Sequence, residues 1–242
     1  MIPAALLLCV LAAEAGPAAP AEKATLYRAT LVQAAPGKLV ELIELYKSSR
    51  TSPAEGDAPP FWMRHSQGDR WDLLLLYPMG SYSTYYARER VEAREKAARA
   101  GSLAGKIRDA AIRREDVFVW GPPLDEVASR FAKAAFFHVE MFQALTGRQA
   151  DLYKEREMEN AYLKALGRPT NLIFVRDAGA DWDLFTIGFY RDLKHYAESA
   201  DIPEAAQEAA AKAAGFEGAS RIGPYMRTLI ASHHDTLAVA VK

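Results

Sequence analysis

His138 and Glu140 stand two apart in the run FFHVEMFQA, whose apolar residues Phe137, Val139 and Met141 alternate with them. Alternation marks a strand and puts the imidazole and the carboxylate on one face, about 6.6 Å apart along it. An imidazole there can act as a general base or ligate a metal or haem, with the carboxylate orienting it; the alternative is a buried polar pair that sets register. A second constellation is His233, His234 and Asp235. Adjacent residues of an extended segment point to opposite faces, so the two histidines do not converge on one ion, and no metal site is assigned to them. Either one can line a ligand site. Arg28, Arg64, His65 and Arg176 fall in strand-like segments and can hold an anionic group or pair with local carboxylates.

The absent motifs narrow the chemistry. There is no GxGxxG or Walker loop, no GxSxG elbow, no CxxC pair and no HExxH helix. Lys and Arg total 30 against 31 Asp and Glu over 242 residues, so the surplus positive charge of a nucleic-acid binder is missing. The segment Ala4–Ala13 is apolar and uncharged, and small residues follow at Ala13 and Ala15. It reads as a signal peptide with a short leader over 1–21, too short to span a membrane, and implies a periplasmic or extracellular protein. Leu8 before Cys9, the single cysteine, disfavours a lipoprotein.

The elements that carry these residues are repeated. Gln33 and Gly37 match Gln143 and Gly147 at an offset of 110; Trp71, Asp72 and Tyr85 match Trp182, Asp183 and Tyr196 at 111; Arg108 and Asp116 match Arg227 and Asp235 at 119. The offset grows only between elements, where loops absorb insertions. Each half reads strand, helix, strand, strand, helix, strand, an α+β, ferredoxin-like βαββαβ unit. The halves run over 22–121 and 136–242, with 122–135 as linker. The closing strands are read as Val117–Trp120 and Leu237–Val241, with Asp116 and Asp235 in turn or strand-entry roles; Asp201 and Glu204 resemble a capping box. The runs Leu73–Leu76 and Leu184–Phe189 are apolar on both faces, so both faces are covered. The simplest cover is the other half's sheet.

Two tandem units with the motifs GDRWDLLLLYP and QAAPGK resemble the dimeric α/β-barrel superfamily, and the pattern over Tyr27–Leu45 is similar to NIPSNAP-like and antibiotic-monooxygenase-like members. The resemblance implies an intramolecular dimeric barrel with a ligand cavity between the sheets, and it places His138 and Glu140 on the face turned towards that cavity. The superfamily includes cofactor-free oxygenases, haem-binding proteins and members without known activity, so fold alone does not select a reaction. The leading expectation is an exported protein that binds a small, partly apolar ligand between its sheets. The alternatives are a haem-dependent or cofactor-free oxidative enzyme, and a non-catalytic structural or interaction module. Haem is compatible with the sequence and not required by it; self-association is left open.

Overall fold

In the computed structural model, residues 24–51, 58–99 and 101–241 are described. The signal-peptide and Cys9 readings lie outside them. The first half contributes β1 (Thr25–Ala34), α1 (Leu39–Thr51), β2 (Phe61–Gln67), β3 (Leu73–Gly80), α2 (Tyr82–Tyr85), α3 (Arg88–Ala97), α4 (Leu103–Asp109) and β4 (Ala111–Gly121). After α5 (Leu124–Lys133), the second half repeats the order with β5 (Phe136–Ala144), α6 (Gln149–Ala165), β6 (Leu172–Ala178), β7 (Leu184–Tyr190), α7 (Leu193–Ala197), α8 (Glu204–Ala213), α9 (Ile222–Arg227) and β8 (Ile230–Ala240). Among the described residues, no helix is long and apolar enough to cross a membrane.

The eight strands form a closed ring in the order β1-β3-β2-β8-β5-β7-β6-β4. The two ferredoxin-like sheets therefore do more than face each other. Their edges pair, β2 with β8 from Met63↔Ala240 to Gln67↔Leu237, and β4 with β6 from Phe118↔Ala178 to Trp120↔Val175. Closure leaves no unpaired edge strand.

The inside of the ring is a packed core. Tyr27, Leu31, Leu74, Val119, Phe137, Val139, Phe174, Phe185 and Ile187 all belong to it, with Phe174 stacked on Phe185 at 4.7 Å and Tyr27 edge-on to Phe174 at 5.7 Å. Along most of the ring the space expected between the sheets is taken by these side chains; a cleft of about 220 Å³ remains at one mouth, beside Leu31, Met141, Trp71 and Trp182. The linker closes one end. It is an amphipathic helix, α5, whose Val127 is fully buried in the core and whose Phe131 packs on Phe61, Phe137 and Phe189.

The repeated WD pair closes the other end. Trp71 and Trp182 plug the core, while each aspartate carboxylate accepts the last amide of the half's first strand, Ala34 N–H to Asp72 and Ala144 N–H to Asp183, both at 2.8 Å. The closing strands are longer than the sequence suggests. Arg113, Arg114 and Glu115 are too polar to read as a buried strand, yet their backbones pair with β1 as far as Ala34↔Ala111. Asp116 and Asp235 consequently stand in mid-strand and not at turns. No capping box forms at Asp201, which ends a 3₁₀ turn; the side-chain cap is Asp192, which accepts from His195 N–H at the start of α7.

The β2–β3 turn ties the halves together at Gly68, where φ is +121° and an added Cβ would meet the Asp235 carbonyl oxygen at 2.2 Å. Gly37, at φ +76°, faces open space. Gly68→Ala should lose about 2 kcal/mol or more in urea unfolding, and Gly37→Ala about 1 kcal/mol. Equal losses would show that the seam tolerates displacement.

Candidate functional site

The core uses Phe137, Val139 and Met141, so the other face of β5 points outwards. His138, Glu140 and Phe142 lie on the helix-covered outside of the ring, beneath α6 and α7. This corrects the expected orientation. The hydrophobic alternation was read in the right register, but the face towards the ring interior is the apolar one.

On that outer face His138 Nε2 stands 3.5 Å from Asp235 Oδ1, and His233 Nε2 stands 3.2 Å from Asp235 Oδ2. Glu140 lies opposite Asp235 in the β5–β8 ladder and accepts from Thr186 Oγ1 at 3.2 Å. The Tyr196 ring lies 5.5 Å from the His138 ring and 5.1 Å from Tyr190, forming an aromatic wall. From above, α6 lowers Glu155, Arg156 and Glu159 onto the sheet. Arg156, 3% exposed, grips fully buried Glu155 with two hydrogen bonds of 2.6 and 2.7 Å, meets Glu159 at 2.5 Å and reaches Glu140 at 3.8 Å.

Among the described residues, four carboxylates, Glu140, Glu155, Glu159 and Asp235, share this space with the permanent cation of Arg156. Burial pushes the Glu159 carboxyl up to about 7; Arg156 opposes the rise, and the Glu140 and Glu155 charges add to it. Burial alone would lower the His138 pKa, but the hydrogen bond to Asp235 and the charges of Glu140, Asp235 and Glu159 outweigh it and raise it above the ordinary value. Asp235 moves the other way, held down first by its hydrogen bond to His138.

The first half carries the same arrangement with different chemistry. Arg28, the counterpart of His138, is 4% exposed and donates to Tyr85 Oη at 2.5 Å, lies over the Tyr77 ring at 4.3 Å and stands 3.8 Å from Asp116. Arg114, the counterpart of His233, stands 3.2 Å from Asp116, and Thr30, the counterpart of Glu140, donates to Asp116 at 2.6 Å. Around equivalent aspartates, the first half sets two guanidiniums and the second half two imidazoles. The second half also gains a carboxylate, Glu140.

The remaining predicted residues scatter. Arg64 is exposed on the outside of β2. His65, whose ring lies 5.9 Å from Trp71, and Arg176, paired with Asp183 at 2.7 Å, share the core-facing side of their strands. His234 points away from His233, towards Asp69 at 3.8 Å. It lines a cleft of about 220 Å³ at the Trp71/Trp182 end, with Gln33, Gln143, Arg70 and Arg113. Only His138, Glu140 and His233 of the predicted set come together. Asp235, Arg156, Glu155, Glu159 and Tyr196 were missed as site residues. A signal for them was the imperfect apolar stripe of α6, which carries Glu155 and Arg156 where α1 has Leu45 and Tyr46.

A haem does not fit this space well. His138 offers a nitrogen, but a flat apolar macrocycle with anionic propionates would meet Glu140, Glu155, Glu159 and Asp235, and would have to displace the buried Arg156 bridges. The cluster suits a small cation or a hydroxyl-bearing group better.

No protein-family model and no curated protein matches the chain. Among solved structures, it is similar to an anthrone oxidase-like protein (TM-score 0.58, 11% identity, 91% of this chain and 92% of that one). It is also similar to a candidate monooxygenase from Fusobacterium nucleatum (0.54, 8%, 92% and 94%) and to a candidate chlorite dismutase (0.50, 13%, 90% and 95%). At these identities the likeness establishes the fold: the chain is a dimeric α/β barrel made within one polypeptide.

Proposed function

We propose that the protein is an oxidative enzyme that acts, without haem, on a small, partly apolar, hydroxyl-bearing substrate held against the outer face of the second half. The observation that carries this reading is the replacement of the Arg28/Arg114 pair by His138/His233 around Asp235, together with the added Glu140. Guanidiniums are permanently charged and serve as structural counter-ions. Imidazoles and carboxylates exchange protons near neutral pH. The oxidase and monooxygenase names of similar folds support this reaction class.

In this reading the cluster accepts the hydrogen bond and then the proton of the substrate hydroxyl, which prepares an electron-rich ring for reaction with oxygen. Tyr190 and Tyr196 provide the apolar wall beside it, and Arg156 holds Glu140 and Glu159 in place. Arg28, Arg64, His65, Arg176 and His234 lie outside this centre and have no part in the step.

Oxygen uptake across a panel of phenols should identify a turned-over class, with His138→Gln and Asp235→Asn each slowing it roughly a hundredfold and Arg64→Gln leaving it unchanged. Rates unaffected by the first two changes contradict the assignment.

Titration adds a stability signature. A histidine whose folded pKa is raised stabilises the fold fully below its unfolded value, about 6.5, and loses that contribution as pH rises through the folded value. The stability difference between the parent chain and His138→Gln, from urea unfolding, should therefore shrink from pH 6 to pH 9 on the order of that titration. A difference that grows with pH contradicts the pairing with Asp235.

A further inference from the structure

We propose that the second half binds a divalent first-row transition-metal ion through His138, Glu140 and Asp235, in the position that the guanidinium of Arg28 takes in the first half. The proposal rests on the reading of this outer face as the working site, but not on the reaction assigned to it.

One ligand atom from each of the three residues lies within 4.8 Å of the other two. The 3.5 Å between His138 Nε2 and Asp235 Oδ1 is close to the edge, about 3.4 Å, of a tetrahedron with metal–ligand bonds of roughly 2.0–2.1 Å. The residues come from neighbouring strands of a closed ring, so their spacing is set by the ladder and not by loops. One imidazole with two carboxylates suits zinc, ferrous or manganous ions.

Charge points the same way. In the first half Asp116 is met by Arg28 and Arg114, so the fold supplies its own cations there. In the second half both arginines are histidines, a carboxylate replaces Thr30, and α6 brings Glu155 and Glu159 against Arg156. A divalent ion restores the positive charge that the two guanidiniums supply to the first half.

A separate observation is the neighbouring acceptor. Tyr77, whose ring supports Arg28, is replaced in the second half by Gly188, the β7 partner of His138. A Cβ at Gly188 would stand 2.8 Å from Asn171 Oδ1 and 3.1 Å from Tyr190 Oη. Asn171 is 9% exposed, and its Oδ1 is buried without a hydrogen-bond partner among the described residues. An unpaired buried acceptor is costly. A hydrogen-bond donor on a ligand held at this face would satisfy it.

The test uses the full, untagged chain, dialysed against chelator and titrated with Co²⁺ by visible d–d absorption. The bands should saturate at one ion per chain and be displaced by Zn²⁺. Glu140→Gln and Asp235→Asn, each checked for folding by circular dichroism, should weaken binding at least about tenfold, and Glu41→Gln on the exposed side of α1 should not. Asp235 is half exposed, so its variant keeps the test alive if Glu140→Gln does not fold. Absence of d–d bands, or binding that survives both substitutions unchanged, overturns the proposal in favour of a bare imidazole–carboxylate pair. Metal binding without oxygen uptake leaves the proposal standing and removes the oxidative reading; uptake without metal binding does the reverse.

Discussion

Closure of eight strands into one ring is the constraint from which the other features follow. A ring of this size has an interior that side chains fill, and Phe174 on Phe185, with Tyr27 against them, fills it. Space for a ligand is then left at the ring mouth, in the cleft of about 220 Å³ beside Trp71 and Trp182, and in the layer between sheet and helices. One end is closed by α5, and at the other the two tryptophans form the floor of the cleft. The fold thus places a polar cluster on the outer face of each half, and the two clusters differ in charge.

The difference is readable residue by residue because duplication supplies an internal reference. Leu42 and Leu152 are both fully buried, so α1 and α6 sit on their sheets in the same register. Four residues further on, Tyr46 corresponds to Arg156, and the neighbouring Leu45 to Glu155. The first half is thereby sealed by an aromatic ring, with permanent cations around Asp116; the second is opened to charge. Burying Glu155 and Arg156 costs several kcal/mol of desolvation that their mutual hydrogen bonds must offset. The same duplicated scaffold folds without those charges. Their presence in one half alone therefore marks a specialised face more than a requirement of packing.

Much of the architecture was legible in the chain. The repeat, the βαββαβ order and the two-sided apolar strands led to the dimeric barrel, since period and spacing survive duplication even where identity does not. The pairing of His138 with Glu140 was also legible, because strand alternation fixes a common face. Its direction was not. Tyr27, Ala29 and Leu31 are more apolar than Arg28, Thr30 and Val32, but in a strand covered on both sides alternation alone cannot say which side is the ring interior. Asp235 escaped for a different reason. Polar residues at 232–236 hide a strand that is held by backbone pairing with β5, so an aspartate in mid-strand looked like one at a turn. The partners on α6 depend on tertiary docking, which no local pattern encodes.

The central claim is that chemistry sits on the outer face of the second half, between β5, β8 and α6. Anomalous diffraction at the cobalt edge, from crystals of the Co²⁺-loaded chain, tests it most directly. The account predicts a single strong peak within bonding distance of His138, Glu140 and Asp235. A peak at the Trp71/Trp182 mouth beside His234 and Asp69 would contradict it.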